Sequence, residues 1–285
     1  MSVDPSPLEK VSKPKFAVPK LSCDCHAHIL GPADRFPFAA TRSYDPALTP
    51  PPVYLKMLGQ LGIERMVIVQ ASCYGADNRR VVAALEEIGR HRARGVAIVT
   101  DTTPDAELKA LTDSGIRAAR FITTAQGGPT LDKLPAVARK VASFGWHAEV
   151  YVKDWGKLLP LVEDLPIPVV FDHLAGVAAN APADDKVLTA ALRLIDRDKA
   201  WVKLSGSRNS LSGPPYADVA PLAQRFAKAA PERCVWGSDW PHVHLEGRPM
   251  PDDGALLSLL QDWAPDEAAR RKILVDNPAK LYGFN

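Results

Sequence analysis

Residues 65–100 read RMVIVQASCYGADNRRVVAALEEIGRHRARGVAIVT. Two apolar runs, RMVIVQAS (65–72) and GVAIVT (95–100), flank a stretch in which Val81, Val82, Leu85 and Ile88 recur at a helical period. The runs are short and rich in β-branched residues, which is strand composition and strand length. Strand, helix, strand in that order predicts a parallel βαβ unit, because parallel neighbours need a long crossover between them.

The unit recurs along the chain. LSCDCHAH (21–28) precedes it, and IRAARFI (116–122), WHAEVYV (146–152), PVVFDH (168–173), AWVKLSG (200–206) and CVWGSDW (234–240) follow, making eight runs. The intervals DKLPAVARKVASF (132–144) and DKVLTAALRLIDR (185–197) are amphipathic, with Asp132 and Asp185 placed to cap each start. Eight strand–helix units over about 250 residues predict an α/β fold, the (β/α)8 TIM barrel. A doubly wound open sheet competes, but no Gly-rich phosphate loop follows the first strand. The stretch from Pro251 to Phe284 reads as extra C-terminal helices covering the last strand. Residues 1–20, rich in Pro, Lys and Ser, read as an extended N-terminal arm, and residues 21–285 as a single barrel domain.

The composition, 46% hydrophobic and 24% charged over 285 residues, is that of an ordinary globular chain. A net charge of +2 with no like-charged block argues against a nucleic-acid partner. The first residues lack the apolar core of a signal peptide, and no apolar run approaches the roughly 20 residues of a membrane span. Cys23, Cys25, Cys73 and Cys234 show no recurring metal-ligand spacing, and the first three read as small buried hydrophobes. A cytoplasmic, reduced-thiol protein is the expectation, with the oligomeric state open.

Barrel chemistry gathers at the C-terminal ends of the strands. That rule selects His26 and His28 on strand 1, Ser72 after strand 2, Arg120 on strand 4 and Tyr151 on strand 5. It adds Asp172 and His173 on strand 6, Arg208 after strand 7 and Asp239 on strand 8. Strand alternation puts Asp24, His26 and His28 on one face. The same alternation points Asp172 away from His173, so an ion pair or a cap suits Asp172 better than catalysis. Arg120 inside an apolar run suggests contact with a ligand, whereas Tyr151 reads equally well as a half-buried core residue. His91, His147, His242 and His244 have no partner in this reading, although His242 lies close enough to Asp239 to line the mouth.

Taken in order, D-x-H-x-H at 24–28, FDH at 171–173 and WGSDWPH at 236–242 resemble the amidohydrolase superfamily. DCHAHILGPADRFPF, VIVQASCYGADN, RAARF, KLSGSRNSL, PDDG and NPAKLYGF narrow the resemblance to the 2-pyrone-4,6-dicarboxylate lactonase group, from about residue 20 to the end. The resemblance implies a lactone hydrolase with His26, His28, His173 and Asp239 as the catalytic centre and Tyr44, Ser72, Arg120, Tyr151 and Arg208 as substrate contacts. Asp239 would act as general base for water, and the three histidines would stabilise the oxyanion.

The pyrone enzymes place further arginines where this chain has Gln126 and Gly176, which points away from a dicarboxylate and toward another small anionic lactone. Many superfamily members bind divalent ions. A single Zn²⁺ on His26, His28, His173 and Asp239 is chemically allowed, but cationic Arg120 and the missing second strand histidine favour no metal. A lactone isomerase, a metal-dependent decarboxylase and a non-catalytic binder of acidic metabolites are the alternatives. A buried carboxylate at the centre serves the binder least.

Overall fold

The computed structural model describes residues 3–124 and 128–284. Eight parallel strands, β1 (Cys23–Ala27), β2 (Arg65–Val69), β3 (Ala93–Ala97), β4 (Ile116–Ile122), β5 (His147–Tyr151), β6 (Val169–Phe171), β7 (Ala200–Leu204) and β8 (Cys234–Trp236), pair in chain order. The ring closes between β8 and β1 through a parallel bridge of Ala27 with Trp240, with Asp239 N donating to His26 O at 2.8 Å. This is the (β/α)8 barrel that the sequence predicts.

Helices α1 (Pro51–Leu61), α2 (Arg79–Ile88), α3 (Asp105–Asp113), α4 (Leu134–Ala142), α5 (Trp155–Glu163), α6 (Lys186–Asp196), α7 (Ala220–Ala229) and α8 (Asp253–Trp263) surround it. Asp185 caps α6 by accepting from Leu188 N at 2.9 Å. Asp132 does not cap α4. It lies within a 3₁₀ turn, Leu131–Lys133, that leads into the helix, so the chain around it is already coiled.

Two layers of apolar side chains follow from the period of 2 along each strand. Met66, Ile68, Ala119, Phe121, Val202 and Leu204 pack outward with the helices. Val67, Val69, Ala118, Val170, Trp201 and Val235 pack with one another and with Cys23 and Cys25, which only the barrel interior permits. All four cysteines are buried and unpaired.

The C-terminal segment seals the lower end. After α9 (Glu267–Arg271) and a π turn, α10 (Asn277–Tyr282) sends Tyr282 and Phe284 into the interior cluster. Tyr282 donates its hydroxyl to Glu149 at 2.6 Å, and the Arg65 and Arg94 guanidiniums lie 5.2 and 4.6 Å from the Phe284 ring centre. Residues 3–20 run without helix outside the barrel, held where Ser12 N donates to Asp252 at 3.0 Å and Lys15 N to Ser258 Oγ at 3.1 Å. No helix of the described residues is long and apolar enough to cross a membrane.

Candidate active site

The D-x-H-x-H stretch does not share one face. Asp24 pairs with Met66 and Ala27 with Ile68, three residues on β1 against two on β2, which is a bulge. The extra residue breaks the alternation. Asp24 therefore faces α1, where its carboxylate accepts from Tyr54 OH at 2.8 Å and from Ser238 N and Oγ at 2.9 and 2.5 Å. His26 and His28 point inward. At Gly237 a Cβ would stand 2.7 Å from the His26 Cβ, so only glycine lets β8 approach β1 this closely.

A second departure lies after β6. Asp172 continues the strand alternation and points inward, with Oδ1 3.0 Å from Lys203 Nζ. His173 points inward as well, because its φ is 48° and Leu174, Ala175 and Gly176 continue the left-handed turn at 51°, 57° and 63°. Both neighbours thus reach the same space, contrary to the opposed directions that strand geometry predicts. Such a run of non-glycine residues at positive φ is unusual and strained.

The three histidines converge on Asp239. Its Oδ1 lies 3.7, 3.8 and 4.0 Å from Nε2 of His26, His28 and His173 and has no hydrogen-bond partner among the described residues. Its Oδ2 accepts from Arg208 Nε at 2.5 Å. Burial acts to raise the Asp239 carboxyl, but Arg208 above all holds it well below the usual carboxylate range. Burial lowers all three imidazoles, His28 to about 3, so they are neutral near pH 7.

His28 Nδ1 lies 2.8 Å from the Val69 carbonyl, which only accepts, so Nδ1 carries the hydrogen. Its Nε2 is then an acceptor. This corrects the expectation of three oxyanion donors, since neutral His28 has no hydrogen to offer at Nε2. His173 Nδ1 lies 2.7 Å from Ser205 Oγ, whose hydroxyl serves either tautomer.

A cavity of about 190 Å³ opens over this centre and is lined by His28, Tyr44, Ser72, Arg120, Tyr151, His173, Arg208 and Asp239. His26 lies beneath it, fully buried. Arg120 Nη1 donates to Gln70 O at 2.6 Å, while its buried Nε has no partner among the described residues. Ser72 Oγ donates to Tyr44 OH at 3.3 Å, and the Tyr151 ring meets His173 edge-on at 4.8 Å. Gly176 lies against the indole of Trp155, where a Cβ would stand 2.7 Å from Nε1, so no longer side chain fits there. Gln126 lies outside the described residues.

Two charged residues of the interior escaped the sequence reading. Lys203 on β7 and Glu149 on β5 are fully buried and paired at 2.7 Å. Their signal was present: His147, Glu149 and Tyr151 alternate along β5 as Trp201, Lys203 and Ser205 do around β7, and a charge in such a row faces inward. His242 finds Asp253 of the PDDG stretch at 3.0 Å, His244 stacks on Tyr44, and His147 lies 3.6 Å from Glu149.

The ligand-type atoms of His26, His28 and Asp239 lie within 4.8 Å of one another, as do those of His26, Asp172 and His173. A divalent ion placed among them would meet fixed positive charge. The Lys203 ammonium stands 3.1 Å from His26 Nδ1, and Arg208 already occupies Asp239. Two fixed cations against two of the four would-be ligands oppose a third.

The amidohydrolase profile matches residues 23–284. This chain belongs to the amidohydrolase family. It is 37% identical to a 2-pyrone-4,6-dicarboxylate hydrolase of Comamonas testosteroni, covering 95% of this chain and 93% of that one. It is 37% identical to a 4-sulfomuconolactone hydrolase of Rhizobium radiobacter, covering 94% and 92%. A D-galactarolactone isomerase of Agrobacterium fabrum is 36% identical, covering 83% and 82%. The family resemblance read from the sequence is borne out by these matches.

Proposed function

We propose that this amidohydrolase opens the ring of a small acidic lactone by hydrolysis. The observation that carries the reading is Asp239, ionised and with one free oxygen inside a ring of three imidazoles beneath an arginine-lined cavity. Asp239 takes a proton from a water held against His28 Nε2, and the resulting hydroxide attacks the ring carbonyl. Donors from the histidine side bear the charge that develops on the carbonyl oxygen. The ring C–O bond then breaks, the leaving oxygen receives a proton, and the new carboxylic acid ionises, so one proton is released per turnover.

Arg120 and Arg208 rise from opposite sides of the barrel and suit an anionic substrate. Trp155 against Gly176 leaves no room for the extra arginine that the pyrone dicarboxylate pattern places there. A monoanionic or sulfonated lactone is therefore the preferred substrate over the pyrone dicarboxylate. The chemistry is read as metal-independent, on the strength of the two fixed cations. Four buried free cysteines accord with a cytoplasmic setting.

Matched neutral, monoacid, sulfonated and diacid lactones, followed with a pH indicator, test the reading. Proton release fastest with the monoacid or sulfonated compound supports it. A highest kcat/KM for the diacid overturns the substrate assignment. The isomerase relative supports one rival, which predicts a new lactone in the NMR spectrum without proton release.

A further inference from the structure

Lys203 Nζ donates to Glu149 Oε2 at 2.7 Å and to His26 Nδ1 at 3.1 Å. It is ion-paired at 3.0 Å with Asp172 Oδ1, which has no hydrogen-bond partner among the described residues and lies 3.5 Å from His26 Nδ1. An ammonium has no lone pair, so it can only donate. With the ammonium nearer to His26 Nδ1 than the Asp172 oxygen, which at 3.5 Å makes no hydrogen bond to it, Nδ1 is the acceptor and the single hydrogen of the neutral ring resides on Nε2. That Nε2 is buried and has no partner among the described residues, 3.7 Å from the free oxygen of Asp239. His28, two residues along the same strand, is held the opposite way by the Val69 carbonyl. The bulge in β1 turns both rings toward one point, and their hydrogen-bond partners give them different chemistry.

We propose that Lys203 is a positioning residue that fixes His26 as an Nε2–H donor to the reacting carbonyl, leaving His28 as the acceptor that holds water. The proton position follows from the hydrogen bonds of the barrel interior alone. Only the target of that N–H rests on the lactonase reading. A purely structural lysine would neutralise Glu149 and Asp172 and leave the tautomer of His26 indifferent. Burial alone would lower the Lys203 ammonium, but Asp172 and Glu149 more than compensate and raise it above its ordinary value, so it stays protonated.

Long-range ¹H–¹⁵N spectra of protein labelled at histidine, with His26→Gln and His28→Gln for assignment, test this without any substrate. The expected result is His26 protonated at Nε2 and His28 at Nδ1 near neutral pH. His26 protonated at Nδ1, or present as imidazolium, overturns the proposal. The triple variant Lys203→Met, Glu149→Gln, Asp172→Asn then removes the lysine without stranding the two carboxylates. Its His26 signal should become a mixture of tautomers, and kcat should fall about 10²-fold, as on loss of an oxyanion donor, with KM within about threefold. An unchanged tautomer and unchanged kcat in that variant overturn it. If the triple variant does not fold, the wild-type spectrum alone decides. Expected spectra with no lactone turned over would sink the lactonase reading while leaving the tautomer assignment standing.

Discussion

Asp239 sits at φ 68° and is pinned there by its backbone bond to His26, so its side chain has one place to go. Asp239→Asn keeps the shape and removes the base. Turnover should fall by about 10²–10⁴-fold while a substrate analogue still binds by calorimetry. A variant that keeps more than about a tenth of kcat would show that another group takes the proton. Arg208 acts on Asp239 and on the cavity at once. Arg208→Met should raise KM by roughly 10–150-fold, the equivalent of about 1.5–3 kcal/mol for a lost charge-assisted contact. Because Arg208 holds the Asp239 carboxyl down, its removal should move the acid limb of the kcat/KM profile to higher pH. An unmoved limb would mean that Asp239 is not the titrating base.

At the scale of elements, the seam between β1 and β8 decides whether the centre exists. Asp24, displaced outward by the bulge, ties β1 to Ser238 after β8 and to Tyr54 on α1. Asp24→Ala leaves those donors unsatisfied in a buried place, and about 1–3 kcal/mol of stability should be lost, read from denaturant midpoints. Burial raises Asp24 from 3.8 to about 6, against the four hydrogen bonds it accepts. The folded protein therefore holds this proton more tightly than the unfolded chain does. The stabilisation is complete below pH 3.8 and is lost as pH rises through about 6. Wild type should weaken relative to Asp24→Asn across that window. A constant difference between the two would contradict the assigned burial. The strands themselves were legible from their apolar runs. The bulge and the left-handed turn after β6 were not, because both are set by neighbours distant in the chain.

At the scale of the whole molecule, the buried charges at the centre of the barrel are arranged as cations paired with anions. Lys203, Glu149, Asp172 and Arg208 form that set with Asp239. Extensive chelation should therefore leave lactonase activity largely intact, with metal below about 0.2 equivalents per chain by elemental analysis, far from the full occupancy of a committed zinc site. Stoichiometric zinc whose removal abolishes activity and whose return restores it would overturn this. The order of apolar runs and amphipathic intervals by itself determined the barrel, since a parallel sheet of eight units has few ways to bury its faces. It also determined which strand ends carry polar groups, and the cavity brings together His28, Tyr44, Ser72, Arg120, Tyr151, His173, Arg208 and Asp239 as that pattern predicts. Only the tertiary structure decided the direction of each group. A one-residue bulge turned Asp24 out, a left-handed turn brought His173 in beside Asp172, and Lys203 and Val69 set opposite protons on two histidines of one strand. Those outcomes depend on hydrogen bonds between residues up to 214 positions apart, which no local pattern of side chains encodes.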